Sequence, residues 1–194
     1  MRWTGAILTG GKASRFGGQD KGTLVVEGRT ILERQLSELS RIASETLIVG
    51  GGTPRDGVRL VSDIVPGRGP LGGLHAALTE AAFEVVVVVA CDMPYVSAPW
   101  LAHLAALSQE ADAVVPLTER GYHPLCAAYT RACLLPIAGR LAQGRLKMMD
   151  ALADFKVRVV AADEIERFGD HHRLLANVNT PAELGGLALE SHEL

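Results

Sequence analysis

The chain has 194 residues, 48% hydrophobic and 5% aromatic, a composition that predicts one globular domain over residues 1–194 whose core is large enough to need neither disulfides nor a structural metal. Nineteen basic against 22 acidic side chains give a net charge of -3, which excludes the basic surface typical of non-specific nucleic-acid binders. The longest apolar run, residues 85–91, is far shorter than the roughly 18 residues of a membrane-spanning helix, so no membrane partner is expected.

Short β-branched runs alternate with helical patterns along the chain, and this alternation predicts an α/β fold with a parallel sheet and crossover helices. The unbroken valine run before Asp92 indicates a strand buried on both faces, in the middle of the sheet. Residues 122–130 are left as a segment without an assigned element. Strands are expected at 3–8, 46–50, 58–62, 84–92, 112–116 and 157–162, and helices at 30–40, 70–82, 98–109, 131–138, 146–154 and 180–190.

A glycine-rich loop follows the first expected strand. Residues 8–21, LTGGKASRFGGQDK, contain four glycines and the cations Lys12, Arg15 and Lys21 against one carboxylate, Asp20. Glycines let backbone N–H groups approach a phosphate chain, and the cations add positive charge. The loop is not a Walker A motif, because Ala13 follows its only Gly-Lys pair. We interpret it as a triphosphate-binding loop.

A second loop, GRGPLGG at residues 67–73, contains the pattern G-x-G-x-x-G. It does not directly follow a strand and it includes Pro70, so the context of a dinucleotide-binding fingerprint is missing. We interpret it as a loop of small residues that a ligand can approach closely. The preceding Asp63 is available to bind a hydroxyl or amino group of that ligand.

The third loop begins at the end of the valine run with the sequence ACDMP, residues 90–94. A carboxylate where a buried strand leaves the sheet is fixed in position and faces the ligand side. Such a carboxylate suits a Mg²⁺ ion that bridges phosphate oxygens, and Asp92 is the candidate metal ligand.

Other possible metal ligands carry less information. The three cysteines lack CxxC spacing, which predicts neither a disulfide framework nor a zinc site and favours a reduced, cytoplasmic protein. Adjacent side chains point apart on a helix or strand, so we interpret His171 and His172 as part of a surface loop. Cys91, beside Asp92, is interpreted as a small buried apolar residue.

The opening loop resembles the signature LAGGxSxRMGxDK of the molybdenum cofactor guanylyltransferases. The likeness continues through DIVPGRGPLGGL, VACDMP, HPLCAAYTRACLLP and NVNTPAEL, in family order and over almost the whole chain. The resemblance implies a Rossmann-like nucleotidyltransferase with a three-layer, doubly wound, mostly parallel sheet and helices on both faces. It also implies transfer of GMP from Mg-GTP to the terminal phosphate of molybdopterin, with release of pyrophosphate.

The same resemblance implies roles for individual positions. Arg15 and Lys21 would bind the phosphates, Asp63 would assist recognition of guanine, and Asp92 would hold Mg²⁺. The residues that would contact the base and ribose are Leu8, Thr9, Gly10 and Gly11. Those placed near the metal or in the acceptor pocket are Asn177, Asn179, Tyr122 and His123.

Two departures from the family pattern leave the nucleotide base open. Thr9 stands where alanine is common, and the glycines at 50–52 stand where some members have an asparagine. Gly10 nevertheless keeps the Gly-Gly pair associated with guanine. A related transferase that uses CTP, or a sugar 1-phosphate as acceptor, is the alternative. A non-catalytic nucleotide-binding module is disfavoured because Asp92 and Lys21 are both present. Proteins that deliver the cofactor or receive it are the partners that the family implies.

Overall fold

The structure is a computed structural model that describes residues 1–9, 21–64 and 67–178. Its strands are β1 Thr4–Leu8, β2 Val25–Val26, β3 Arg29–Thr30, β4 Glu45–Val49, β5 Arg59–Val61, β6 Val85–Ala90, β7 Ala113–Thr118, β8 Gly121–Tyr122, β9 Cys126–Thr130 and β10 Val157–Ala161. Its α-helices are α1 Ile31–Leu39, α2 Gly69–Glu80, α3 Ala98–Leu107, α4 Leu134–Ala142, α5 Met148–Ala151, α6 Ala162–Ile165 and α7 His171–Leu174. No helix within the described ranges is both long and apolar enough to span a membrane.

Eight of the strands form one sheet in the order β10-β7-β9-β6-β1-β4-β5, with β8 paired to β7. The pairs β1–β4, β1–β6, β4–β5 and β7–β10 are parallel, while β9 is antiparallel to both β6 and β7. The expected mostly parallel sheet is therefore confirmed. Because β6 and β7 run in the same direction on either side of β9, their carboxyl ends lie at the same edge as those of β1, β4 and β5.

Helices cover both faces of the sheet, as a doubly wound fold requires. Alternate residues of β6 divide between the two cores: Val85, Val87 and Val89 belong to one, Val86 and Val88 to the other. Helices α1, α3, α6 and α7 contribute to the first core, and α2, α4 and α5 to the second. All six residues of β6 are buried, which confirms that the valine run is a central strand.

Helix α1 shows how the local sequence sets an element boundary. The Thr30 hydroxyl accepts a hydrogen bond from the Glu33 backbone N–H (3.2 Å), and the Glu33 carboxylate accepts one from the Thr30 N–H (2.9 Å). This reciprocal capping box satisfies two N–H groups that a helix start leaves without partners. The helix buries Ile31, Leu32, Gln35 and Leu39 against the sheet, with one polar residue among three apolar ones.

Residues 122–130, which received no element from the sequence, include the antiparallel strand β9. All five residues of β9 are buried between β6 and β7. The expected helix at 180–190 lies outside the described residues.

Candidate active site

Hydrogen bonds join the carboxyl ends of four neighbouring strands. The Thr9 N–H, just beyond β1, donates to the last carbonyl of β4 (2.9 Å), and the Gly50 N–H donates to the last carbonyl of β5 (2.9 Å). On the other side of β1, the Cys91 N–H donates to the carbonyl of Leu8 (3.1 Å). The loops after β5, β4, β1 and β6 therefore start from one fixed edge, where ligands bind in open α/β sheets.

The Thr9 side chain connects the two positions at which the sequence departs from the family pattern. Its hydroxyl contacts the carbonyl of Val49 (2.9 Å) and the carbonyl of Gly51 (2.7 Å). A hydroxyl has one proton to donate, so it shares that proton between the two acceptors. The threonine thus holds the glycine loop at 50–52 against the end of β1.

Asp92 lies two residues beyond the end of β6, the strand that pairs with β1 on the side opposite β4. The residue is half-buried, and its Oδ1 atom is shielded from solvent. The turn that carries it is closed by a hydrogen bond from the Met93 N–H to the carbonyl of Ala90 (3.2 Å). A second bond, from the Val178 N–H to the carbonyl of Asp92 (2.7 Å), ties this turn to the chain after α7.

Gln35 is a functional candidate that sequence reasoning missed. Its side chain is fully buried in α1, and its Nε2 atom donates to the carbonyls of Ala90 (2.7 Å) and Met93 (2.9 Å). These two residues flank Cys91 and Asp92, so one carboxamide braces the turn that holds the candidate metal ligand. The only sequence signal is a polar residue on the apolar face of an amphipathic helix.

The donor set at Asp92 fits Mg²⁺. This ion is usually bound by one or two carboxylates together with substrate phosphates and water, and not by a complete protein cage. Asp92 offers one carboxylate on a braced turn. The hydrogen bond from the Val178 N–H to the Asp92 carbonyl brings the segment that contains Asn177 next to this turn. Within the described ranges, Asp92 belongs to no group of three metal-ligating side chains.

Asp63 and Leu8 occupy the same edge in different ways. Asp63, two residues beyond β5, is half-buried, and this burial raises the pKa of its carboxyl group. Leu8 is buried and its side chain belongs to the core on the α2 side, so only its backbone reaches the edge. The roles of both residues toward a nucleotide stay predictions.

The expected acceptor residues lie around the same edge. Tyr122 is exposed on β8, which pairs with the end of β7, and Asn177 is exposed beside Val178. His123 is half-buried and its Nε2 atom lies 2.9 Å from the Thr118 hydroxyl. Burial, with a smaller effect of the Arg120 guanidinium, lowers the pKa of His123 and favours the neutral ring.

Part of the candidate site falls outside the described residues. This is so for Gly10, Gly11, Arg15 and Asn179, and for the side chain of Lys21. Their assignments to nucleotide, phosphates and metal stay predictions.

A cleft of about 380 Å³, which we call the arginine cleft and which also has Glu38 and Asp170 in its lining, lies beside the turn that follows Asp92. Its lining includes Arg29, Arg34, Arg173 and Tyr95, with the Arg34 and Arg173 guanidinium carbons 5.5 and 4.4 Å from the Tyr95 ring centroid. Both of these arginines also pair with Glu27, at 3.0 and 2.9 Å. The arginines come from distant parts of the chain, which is why no sequence motif indicated the cleft.

The interpretation of His171 and His172 as divergent loop residues is wrong. Both lie in α7, a single helical turn whose N-cap Asp170 accepts from the His172 N–H (2.9 Å). Their ring centroids are 4.0 Å apart and both rings reach the Glu119 carboxylate. Glu119 is 52 residues away along the chain from His171, so this arrangement has no local sequence signal.

Comparison with known proteins gives consistent matches. The model of the "MobA-like NTP transferase domain" family matches residues 5–159. A "Probable molybdenum cofactor guanylyltransferase" of Pelotomaculum thermopropionicum is 35% identical over 187 residues, covering 95% of this chain and 91% of the relative. A "Molybdenum cofactor guanylyltransferase" of Desulfosudis oleivorans is 32% identical over 186 residues, covering 93% and 92%. The crystal structure of molybdopterin-guanine dinucleotide biosynthesis protein A from Archaeoglobus fulgidus superposes with a TM-score of 0.82 at 26% identity, covering 98% of this chain and 100% of that one.

Proposed function

Because the chain belongs to the MobA-like NTP transferase family, we propose that it transfers GMP from GTP to the terminal phosphate of molybdopterin, forming molybdopterin guanine dinucleotide. The observation that carries the proposal is the joined sheet edge. There the loop after β1, which opens the family signature, is hydrogen-bonded to the start of the turn that holds Asp92. The relatives at 35% and 32% identity, named for this activity, support the assignment.

In the proposed reaction, an oxygen of the molybdopterin phosphate attacks the α-phosphorus of GTP. A phosphorus–oxygen bond forms, the bond from the α-phosphorus to the oxygen of the departing group breaks, and pyrophosphate leaves. An anion approaches an anion, so the enzyme's contribution is alignment and charge neutralisation, and no protein nucleophile is needed. Arg15 and Lys21 are assigned to the charge on the phosphates.

Asp92 is assigned to a divalent cation, Mg²⁺. When bound, the cation would offset charge on the α-phosphate and the pyrophosphate. The protein's own part is to hold the carboxylate in place, and the bonds from Gln35 and Val178 to the same turn support that role.

The nucleotide base is assigned to the sheet edge beyond the ends of β1 and β4. Thr9 fixes the spacing between the loops after these strands through its contact with Gly51, and Asp63 stands at the end of the next strand. We propose that Asp63 assists recognition of guanine, which offers N–H donors to a carboxylate. A cytosine-specific enzyme would use the same edge with different base contacts.

The acceptor is assigned to the side of the sheet edge that carries Asn177, Tyr122 and His123. The arginine cleft begins at Pro94, two residues after Asp92, and its arginines are suited to an anionic ligand or partner. We place the reaction in the cytoplasm, and we expect a protein that delivers or receives the cofactor to dock near this side.

The proposal is tested by equilibrium binding of GTP, CTP, ATP and UTP, each with Mg²⁺ and with EDTA. We expect GTP to bind most tightly and only the Mg²⁺ series to show the full affinity. Preference for CTP would keep the fold and the mechanism but would overturn the guanylyl assignment. Equal affinity for all four nucleotides would contradict a base-selective pocket.

A further inference from the structure

A cluster of histidines and carboxylates lines a small cavity next to His123, one of the expected acceptor residues. The His171 Nε2 atom is 3.2 Å from one oxygen of Glu119, and the His172 Nδ1 atom is 3.4 Å from the other. One potential ligand atom from each of the three residues falls within 4.8 Å of the others. Glu119 follows β7, so the cluster joins the hairpin of β7 and β8 to α7.

We propose that Glu119, His171 and His172 bind a divalent cation of the zinc class. Two imidazoles and one carboxylate are a ligand set that Zn²⁺ favours, and three protein ligands leave a fourth position for water. Tetrahedral zinc with bonds of about 2.0–2.1 Å separates its ligand atoms by about 3.3 Å. The two nitrogen–oxygen separations, 3.2 and 3.4 Å to different oxygens of Glu119, are close to that spacing, and the three ligand atoms lie within 4.8 Å of one another, so side-chain adjustment brings them around one ion.

The second nitrogen of His171 supports the assignment. Its Nδ1 atom contacts the Glu166 carboxylate, which also accepts from the His171 backbone N–H (3.3 Å). A carboxylate on one imidazole nitrogen fixes the ring orientation and makes the other nitrogen a better metal ligand. His171 therefore presents Nε2 toward Glu119 in the arrangement common among metal-binding histidines.

The same groups also form ion pairs without a metal. The Glu166 carboxylate, with Glu119 adding to its effect, raises the pKa of His171, so protons compete with a cation for this ring. Such competition weakens as pH rises, because a metal binds the neutral imidazole. Zinc binding is therefore best measured near pH 8.

We assign a cation here a structural role. It would clamp α7 to the β7–β8 hairpin, and α7 ends four residues before Val178, whose N–H binds the carbonyl of Asp92. The three cysteines are buried and belong to no disulfide, so their sulfur atoms are not exposed at this surface.

The test is calorimetric titration of the full chain with ZnCl₂ at pH 8 in excess Mg²⁺, which occupies the Asp92 site. We expect one zinc per chain and an increase in melting temperature, since a ligand of the folded state stabilises it.

Glu166→Gln removes only the orienting carboxylate and should weaken zinc binding about 10–100-fold. His172→Ala, at an exposed position, should weaken it further. His103→Ala is the matched control, because His103 pairs with the single carboxylate of Glu164 (2.8 Å) and belongs to no such group within the described ranges.

Cobalt substitution identifies the ligands independently. Tetrahedral Co²⁺ with nitrogen and oxygen ligands gives visible d–d bands without a thiolate charge-transfer band in the near ultraviolet. Absence of zinc binding, zinc affinity unchanged in His172→Ala, or a thiolate band would each overturn the proposed site. Any of these results would leave the proposed guanylyl transfer unaffected.

Discussion

The buried carboxamide of Gln35 donates to the carbonyl of Met93 across 2.9 Å, and to the carbonyl of Ala90 across 2.7 Å. Gln35 stands 58 residues before Met93, so a helix on one side of the sheet braces the turn after the central strand. The candidate metal ligand Asp92 lies within that turn. The position of Asp92 therefore depends on hydrogen bonds that Gln35 makes to the backbone on either side of it.

Replacing Gln35 by leucine keeps most of the side-chain volume and removes both donations. We expect the free energy of unfolding to fall by about 1–3 kcal/mol, since buried carbonyls lose a partner. We also expect turnover to need more Mg²⁺, because the Asp92 turn loosens. The measurement is the Mg²⁺ dependence of kcat beside a denaturant unfolding curve.

Val160→Ala is the matched control for lost stability. Val160 is fully buried in β10, and losing two methyl groups costs about 2 kcal/mol. Its Mg²⁺ dependence should be that of the unmodified chain. If Gln35→Leu and Val160→Ala respond alike to Mg²⁺, Gln35 contributes to stability alone.

Asp92→Asn removes the charge and preserves the size of the side chain. We expect turnover to fall by about 100-fold or more, the cost of losing one electrostatic contact in a transition state. The difference between GTP binding with Mg²⁺ and with EDTA should disappear as well. Asp56→Asn, at an exposed position in the loop before β5, is the control. Near-normal turnover in Asp92→Asn would remove this residue from the metal role.

Thr9→Val removes the hydroxyl that contacts the carbonyls of Val49 and Gly51. One hydrogen bond contributes about 0.5–1.5 kcal/mol, so we expect KM for GTP to rise about 2–10-fold with little change in kcat. Thr9→Ser retains the hydroxyl and should restore most of the affinity. Equal KM values for the valine and serine variants would show that the hydroxyl does not position the glycine loop.

The histidine cluster makes stability depend on pH in a definite direction. The pKa of His171 is raised above 6.5, chiefly by Glu166, and the pKa values of Glu119 and Glu166 are lowered below 4.5. The contribution of His171 to the free energy of unfolding is complete below pH 6.5 and is lost as pH rises through its raised pKa. The contribution of the carboxylates is complete above pH 4.5 and is lost as pH falls through their lowered pKa values.

Both contributions are present between pH 4.5 and 6.5, so the difference in stability between the unmodified chain and a variant without His171 should be largest there. With EDTA present to exclude metals, we expect His171→Gln to lower the melting temperature most near pH 5.5 and least above pH 8. Thermal melts of both proteins across this range provide the measurement. A deficit that grows with pH would contradict the ion-pair arrangement.

Local sequence patterns predicted the elements that interactions between neighbouring residues determine. The capping box of Thr30 and Glu33 sets the start of α1, and the valine run identifies β6 as the central strand. The sequence predicted the class of fold but not the order of the strands in the sheet. Strand β9 was missed because CAAYT has small residues and no alternation, and its burial comes from pairing with β6 and β7 and from packing in the cores on both faces of the sheet.

The candidate site divides in the same way. Asp92 and Asp63 were predicted from their places after strands, and both lie at the expected edge. Gln35, the arginine cleft and the Glu119 contact of His171 were not predicted, because each depends on residues that the fold brings together from distant positions. Sequence spacing carries no information on such contacts until the sheet order is known.

The most direct measurement is a transfer assay with molybdopterin, Mg²⁺ and GTP or CTP labelled at the α-phosphate, following both pyrophosphate and the labelled dinucleotide. We expect label from GTP in molybdopterin guanine dinucleotide, one pyrophosphate per product, and little product from CTP. Transfer from CTP in preference to GTP, or transfer of label to a sugar 1-phosphate but not to molybdopterin, would contradict the proposed function.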